Sequence, residues 1–244
     1  NVLTGAMRVF LYLILLLCAV SIVICGITGI IVNFTSPEKL EIISKIMNFL
    51  AIISIPCGFL LTINVVGNKS IGVADNGTAV VILLDLMKHF KENPLENVNM
   101  TFLFSAAEEI GLTGAYNFLK NRLGQPRWDP SRCFIINYDL AGLKGPFIFN
   151  DMIGIPKKTV SPKMTEWIDI ISKEQNFPVK KAYLPIGAWT DANPFIEKGY
   201  ETATFAGIST KIHSKGDNFD IIDEENLFKA YVMGIELAKK INER

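Results

Sequence analysis

The chain has 244 residues, with 24 basic and 24 acidic side chains, and 50% of its residues are hydrophobic. This length suits one or two domains, and the balanced charge gives no reason to expect a nucleic-acid partner. None of the four cysteines has Cys-x-x-Cys spacing, which argues against a thiolate zinc site and against a disulfide framework.

Two long uncharged stretches, residues 9–37 and 46–68, open the chain. About 20 mainly apolar residues are enough for a helix to cross a bilayer. A signal peptide would have a shorter apolar core and no second span after it. We therefore expect residues 1–69 to form a transmembrane hairpin that anchors the protein in a lipid bilayer, with spans over about 9–33 and 46–67 and a loop, TSPEKLEIISK, between them.

The basic residues around the spans leave the orientation open. Arg8 and Lys69 flank the outer ends, and Lys39 and Lys45 lie in the connecting loop. The positive-inside rule assigns the side with more basic residues to the cytoplasm, and here the numbers of basic residues on the two sides are nearly equal. The spans contain no charged residue of the kind that marks a transport pathway, so anchoring is the expected role.

From residue 70 onward, short apolar runs alternate with amphipathic stretches. Strands are predicted over 100–106, 132–140 and 202–207, and helices over 77–90, 108–123, 161–177 and 221–244, the third with Ser161 as its cap and Pro162 at its first position. Such alternation predicts an α/β fold with a mostly parallel central sheet flanked by helices, which we place in a domain over residues 70–244.

Ionisable side chains follow the predicted strands. Glu108 and Glu109 come just after the first strand, Asp139 ends the second, and His213 lies a short loop beyond the third, while Asp75 precedes the first helix of this part. Because ligands bind beyond the carboxyl ends of the strands in open α/β sheets, these groups are expected at one edge.

Oxygen and nitrogen ligands without thiolate suit Zn²⁺ or a related divalent ion. One carboxylate can bridge two ions, and a glutamate that is not a ligand can take the proton from an attacking water. Taken singly, these residues also have structural explanations. The two glutamates carry a favourable charge for a helix start, Asp75 fits a turn, and His213 fits a surface loop. The combination is what favours a metal site, whereas His89 and Cys133 are expected to be structural.

The blocks GVADNGTAVVILLDL, FLFSAAEEIGLTGAYNFL, INYDLAG, WTDANPF and IHSKGDNFDIID occur in this order over residues 72–223. Together they resemble the M28 zinc peptidases, the family of bacterial secreted aminopeptidases and glutamate carboxypeptidase. The resemblance implies a two-zinc peptidase acting on peptides. It implies that Asp75 is the bridging carboxylate, Glu108 the general base, Glu109 a ligand of the first zinc, and Asp139 and His213 ligands of the second.

Two further aspartates have positions implied by the same resemblance. Asp191, in Thr190-Asp191, would lie near the substrate, and Asp217 would orient the loop that carries His213.

One departure concerns the first zinc. The family supplies it with a histidine from a His-x-Asp motif, but no histidine precedes Asp75 in this chain. We expect the chain to be a fragment, with the hairpin inserted after the His-x-Asp strand and the missing strands and histidine upstream of residue 1. In a complete chain, the first zinc would have only Asp75 and Glu109, and activity would be weak or absent.

Three functions are compatible with these residues. The first is a membrane-bound zinc peptidase, most simply an aminopeptidase. The second is a non-catalytic receptor or scaffold with the same fold, although retention of Glu108 and of the second-site ligands argues against it. The third is a glutaminyl-cyclase-like acyl-transfer enzyme with one zinc. Substrate sequence and oligomeric state have no signature in the chain.

Overall fold

The computed structural model describes residues 5–63, 70–154, 156–184 and 188–244. The chain divides into two compact units. The first comprises Asn1–Ile71 and Thr210–Gly216, and the second comprises Gly72–Ser209 and Asp217–Arg244.

The first unit contains two long helices, α1 (Gly5–Thr35) and α2 (Leu40–Ile63), separated by a short turn over Pro37–Lys39. Both are long and apolar enough to cross a membrane, over Phe10–Thr35 and Pro37–Thr62. The second helix begins within the stretch predicted to be a loop, because a single turn is enough to reverse the chain. Residues 64–67, the end of the predicted second span, lie outside the described residues.

Large apolar side chains of α1 and α2 point outward. Those more than half exposed include Phe10, Leu16, Ile24, Phe34, Ile42, Ile52, Ile55 and Phe59. A helix that is apolar all round is normally buried in a protein core or in a bilayer. The exposure of these side chains is therefore compatible with two helices that pass through lipid.

The second unit is built on a five-stranded sheet with the order β1-β5-β2-β3, in which β4 also pairs with β2. The strands are β1 (Phe134–Asp139), β2 (Ile148–Ile153), β3 (Lys158–Thr159), β4 (Lys180–Tyr183) and β5 (Glu201–Ala206). Strands β1 and β5 are parallel and in register from Phe134↔Glu201 to Asp139↔Ala206. Strand β4 is parallel to β2, whereas β5 and β3 pair with β2 antiparallel.

Helices cover both faces of this sheet, as the α/β prediction requires. They are α3 (Thr78–Glu92), α4 (Thr113–Lys120), α5 (Pro162–Glu174), α6 (Asn193–Glu197) and α7 (Glu224–Asn242). One face packs against α3, α5 and α7, and the other against α4 and α6. The larger core centres on Phe205, whose ring lies 5.5 Å from that of Phe147 and 5.8 Å from that of Tyr138.

The predicted strand over residues 100–106 has no strand partner in the described part of the chain. Its side chains nevertheless alternate as in a strand: Phe102 packs on the larger core and Leu103 on the smaller one. A cavity of about 740 Å³ lies between this segment and β1, lined by residues of both. A strand is defined by backbone hydrogen bonds to a neighbour, and the two segments are separated by this cavity and do not pair.

Helix boundaries differ from the sequence prediction mainly at α4 and α5. The helix predicted from Glu108 begins only at Thr113. Ser161 lies at the cap position of α5, but its hydroxyl makes no cap hydrogen bond. It accepts instead from the Thr202 N–H, which ties α5 to β5. At α7, by contrast, Asp223 caps the helix by accepting from the Asn226 N–H at 3.0 Å.

Candidate metal centre

Asp75 lies in a tight turn, Val73–Gly77, that leads directly into α3. Gly72 has a φ of 67°, and the Gly77 N–H closes the turn on the Gly72 carbonyl at 2.9 Å. A Cβ atom at Gly77 would lie 2.9 Å from that same oxygen, so a larger residue would push the turn open. The two glycines thus hold Asp75 at the entrance of the helix.

Asp139 is the last residue of β1 and lies opposite Ala206 of β5. Its position therefore marks the carboxyl edge of two parallel strands. Burial raises the pKa of Asp139 to about 7, and the negative charges of Asp75, Glu108, Asp191 and Glu109 add to this effect. The four other carboxylates consequently act on the same point at the edge of the sheet.

Glu108 and Glu109 lie in a turn, and not in the first turn of a helix as predicted. Ala107 has a positive φ of 59°, and the Leu112 N–H donates to the Glu108 carbonyl at 2.8 Å. Glu108 is half-buried and Glu109 is exposed. A carboxylate oxygen of Glu109 lies within 4.8 Å of one from Asp75. Neighbouring glutamates in this turn therefore have different surroundings, as a division between ligand and base requires.

Asp191 precedes α6 and contributes a further, half-buried carboxylate. Its Oδ2 atom accepts a hydrogen bond from the Ser105 hydroxyl. Burial raises the pKa of Asp191, and the hydrogen bond from Ser105 opposes that rise. Ser105 belongs to the segment that leads to Glu108, so this contact joins the α6 region to the glutamate turn.

Asp217 is almost fully buried, with 1% of its surface exposed. Its Oδ1 atom accepts a hydrogen bond from the Ala74 N–H at 2.7 Å. Because Ala74 immediately precedes Asp75, this carboxylate holds the Asp75 turn. The orientation of the His213 loop by Asp217, which the family resemblance implied, stays a prediction.

His213 lies in the segment Thr210–Gly216, which groups with the first unit. Its backbone has a φ of 58°, a left-handed conformation that few residues other than glycine adopt. The turn around it is held by Ser214, whose Oγ atom accepts from the Gly216 N–H at 3.1 Å. Its role as a metal ligand stays a prediction.

The chemistry of the carboxylates fits a divalent cation. They gather at one edge of the sheet, and their mutual repulsion disfavours the ionised form of Asp139. A nearby cation reverses this effect by favouring ionised carboxylates. Asp75 and Glu109 are close enough for small side-chain rotations to bring both onto one ion.

Two residues near this edge were missed by the sequence analysis. Asn76 donates from Nδ2 to the Tyr138 carbonyl at 3.2 Å and accepts from the Leu140 N–H at 3.4 Å. Ser105 holds Asp191. Neither an asparagine beside Asp75 nor an isolated serine at the end of an apolar run has a distinctive signature.

Comparisons with known proteins identify the family to which the chain belongs. The profile of Peptidase family M28 matches residues 61–235. No curated protein sequence matches the chain. Two crystal structures of LapA from Legionella pneumophila, one of them described as an aminopeptidase, are similar with a TM-score of 0.58 and 15% identity.

The LapA similarity covers 73% of this chain, and 50% and 49% of the two LapA chains. The chain thus spans about half the length of these solved relatives. At such low identity the likeness extends to the fold, which is an α/β sheet flanked by helices. The family profile covers more than half of the chain and includes all the carboxylates described above. The chain therefore belongs to peptidase family M28.

Proposed function

We propose that this protein is a membrane-anchored, zinc-dependent peptidase, and specifically an aminopeptidase, with its active centre at the carboxyl edge of β1. The observation that carries the proposal is the convergence of Asp75, Glu108, Glu109 and Asp191 on Asp139, whose pKa they help to raise. Gathering carboxylates in this way costs free energy unless a bound cation or protons neutralise their negative charge.

Two zinc ions would be held by Asp75, Glu109, Asp139 and His213. In this proposal Asp75 would be shared by both ions, Glu109 would hold the first, and Asp139 and His213 would hold the second.

The zinc pair supplies polarisation of the peptide carbonyl and acidification of a water molecule. Glu108, half-buried and outside the proposed ligand set, accepts the proton from the attacking water and delivers it to the departing amine. Asp191 lines the site through its contact with Ser105 and leaves its Oδ1 atom without a hydrogen-bond partner among the described residues. That oxygen is suited to orient a donor group of a bound peptide.

The helical hairpin is the proposed membrane anchor. Its outward apolar side chains support this role, and α2 ends 15 residues before the first residue of α3, Thr78. Peptides near the membrane surface are the proposed substrates.

Replacement of Glu108 by glutamine tests the proposed mechanism. Glutamine keeps the shape of the side chain but cannot accept the proton, so we expect peptidase kcat to fall by about 100-fold or more while bound zinc is unchanged. The assay uses peptides with free and with acetylated N-termini, and an aminopeptidase cleaves only the first. Glu166→Gln, the same change on the exposed surface of α5, is the matched control.

Two results would count against the proposal. Full activity of Glu108→Gln would remove the general base from the mechanism. Cleavage of acetylated peptides at the same rate as free ones would rule out the aminopeptidase assignment while leaving a peptidase.

A further inference from the structure

We propose that Asn76 is a positioning residue that sets the distance between Asp75 and Asp139. Its carboxamide donates to the Tyr138 carbonyl at 3.2 Å and accepts from the Leu140 N–H at 3.4 Å. These two backbone groups flank Asp139 on either side. Asn76 itself directly follows Asp75, so one side chain joins the two carboxylates that would share an ion. The inference rests on the proposed metal site.

The Asn76 contact lies where the backbone leaves the sheet. The ladder between β1 and β5 ends at the pair Asp139↔Ala206, and farther along the chain the Asp223 N–H donates to the Gly142 carbonyl at 2.9 Å. Leu140 then turns into the left-handed region, with a φ of 59°. This conformation is sparsely populated for leucine and persists only where surrounding contacts enforce it. The Asn76 side chain supplies a contact at this turn.

The other end of the bridge is fixed independently. Asp217 accepts the Ala74 N–H at 2.7 Å, and the Gly77 N–H bonds the Gly72 carbonyl at 2.9 Å. The turn that carries Asn76 is therefore held on both sides of Asp75. Because this turn is held and the Asn76 side chain bonds to the end of β1, Asp75 and Asp139 cannot move apart without breaking a hydrogen bond.

The bridge requires a carboxamide, which offers one donor and one acceptor at this length. An aspartate has the same shape but can only accept hydrogen bonds. One of its oxygens would therefore face the Tyr138 carbonyl oxygen, and the two acceptors would repel each other. The aspartate would also add a negative charge beside the carboxylates. An alanine would remove both hydrogen bonds and leave the Leu140 turn without this contact.

The test compares zinc affinity and local backbone protection in the full chain. We expect Asn76→Ala and Asn76→Asp to weaken zinc binding by about 10–100-fold, measured by competition with a chromophoric chelator. In the metal-free protein, we expect faster amide hydrogen exchange confined to residues 138–141. The near-isosteric aspartate variant keeps the test available should the alanine variant fold poorly.

Asn226→Ala separates positioning from a purely structural role. Asn226 is buried, and its carboxamide also joins backbone groups, donating to the Leu143 and Gly145 carbonyls at 2.7 and 3.0 Å. Its loss is expected to lower the free energy of unfolding while zinc affinity stays near the wild-type value.

Wild-type zinc affinity in both Asn76 variants, or unchanged exchange at residues 138–141, would overturn the positioning role. A wild-type chain that binds no zinc would instead contradict the proposed function. In that case the exchange measurement, made without metal, still decides whether Asn76 holds the end of β1.

Discussion

At the residue scale, burial and like charges act together on Asp139. Its pKa of about 7 means that the metal-free folded protein holds a proton there at pH values at which an unfolded chain has released it. The folded state therefore binds more protons than the unfolded state between about pH 4 and 7. By linkage, the stability of the metal-free protein falls as the pH rises through this window.

Asp139→Asn should remove this pH dependence. Each unit of pKa difference corresponds to about 1.4 kcal/mol, and we expect the stability lost between pH 5 and 8 to be smaller in the variant by roughly 2 kcal/mol. Urea unfolding in the presence of a chelator measures it. Asp220→Asn, the same change in an exposed turn, is the control. Equal losses in wild type and Asp139→Asn would show that Asp139 is ionised throughout.

The sequence identified the carboxylates of the site but not their supports. Glu108, Glu109 and Asp139 were expected at one edge because they follow or end apolar runs, and Asp75 because it precedes a helix. Asp191 was expected only through the family resemblance. Asn76 and Ser105 could not be predicted, because their roles depend on backbone groups and side chains far away in sequence. Hydrogen bonds of this kind arise only when the strands and turns are in place.

At the element scale, α7 packs unusually closely on β1. Gly234 allows this approach, since a Cβ atom there would lie 2.3 Å from the Tyr138 hydroxyl oxygen and 3.0 Å from a Leu86 methyl group. The same hydroxyl donates to the Ala230 carbonyl at 3.2 Å. The glycine thus brings the helix against the strand that ends at Asp139.

Gly234→Ala should destabilise the protein although alanine favours helices. Helix propensity gains about 1 kcal/mol, but the new methyl group would lie 2.3 Å from the Tyr138 hydroxyl oxygen, and overpacking of this kind costs about 1–3 kcal/mol, so a net loss is expected. Chemical denaturation measures it. Tyr138→Phe removes the oxygen that the new methyl group would meet, and the double variant should lose less than the sum of the single losses. Strict additivity would contradict the steric explanation.

Elements with a strong local pattern were predicted well, and the others were not. Helices α3, α5 and α7 and strands β1 and β5 follow from apolar periodicity, because each has one or two clearly buried faces. Strands β2, β3 and β4 were missed. Their polar residues, such as Asn150 and Asp151 in β2, hide the strand pattern although both are buried. The strand predicted over residues 100–106 was wrong because a strand depends on pairing with a neighbour, which the pattern of the segment itself does not determine.

At the scale of the whole molecule, the hairpin should retain the protein in membranes. Two apolar helices of this length resist extraction unless detergent replaces the lipid. We expect the full chain to remain in the membrane pellet after an alkaline carbonate wash and to be released by detergent. Release by carbonate alone would show that α1 and α2 are peripheral or packed within protein.

The central claim is a metal-dependent site built on Asp75 and Asp139. Elemental analysis of zinc in the purified full chain, after equilibration with zinc and removal of the excess, tests it most directly beside the Asp75→Ala and Asp139→Ala variants. Zinc retained by the wild type and lost from both folded variants is the predicted result. A wild-type chain free of zinc, or variants that retain it in full, would contradict the claim.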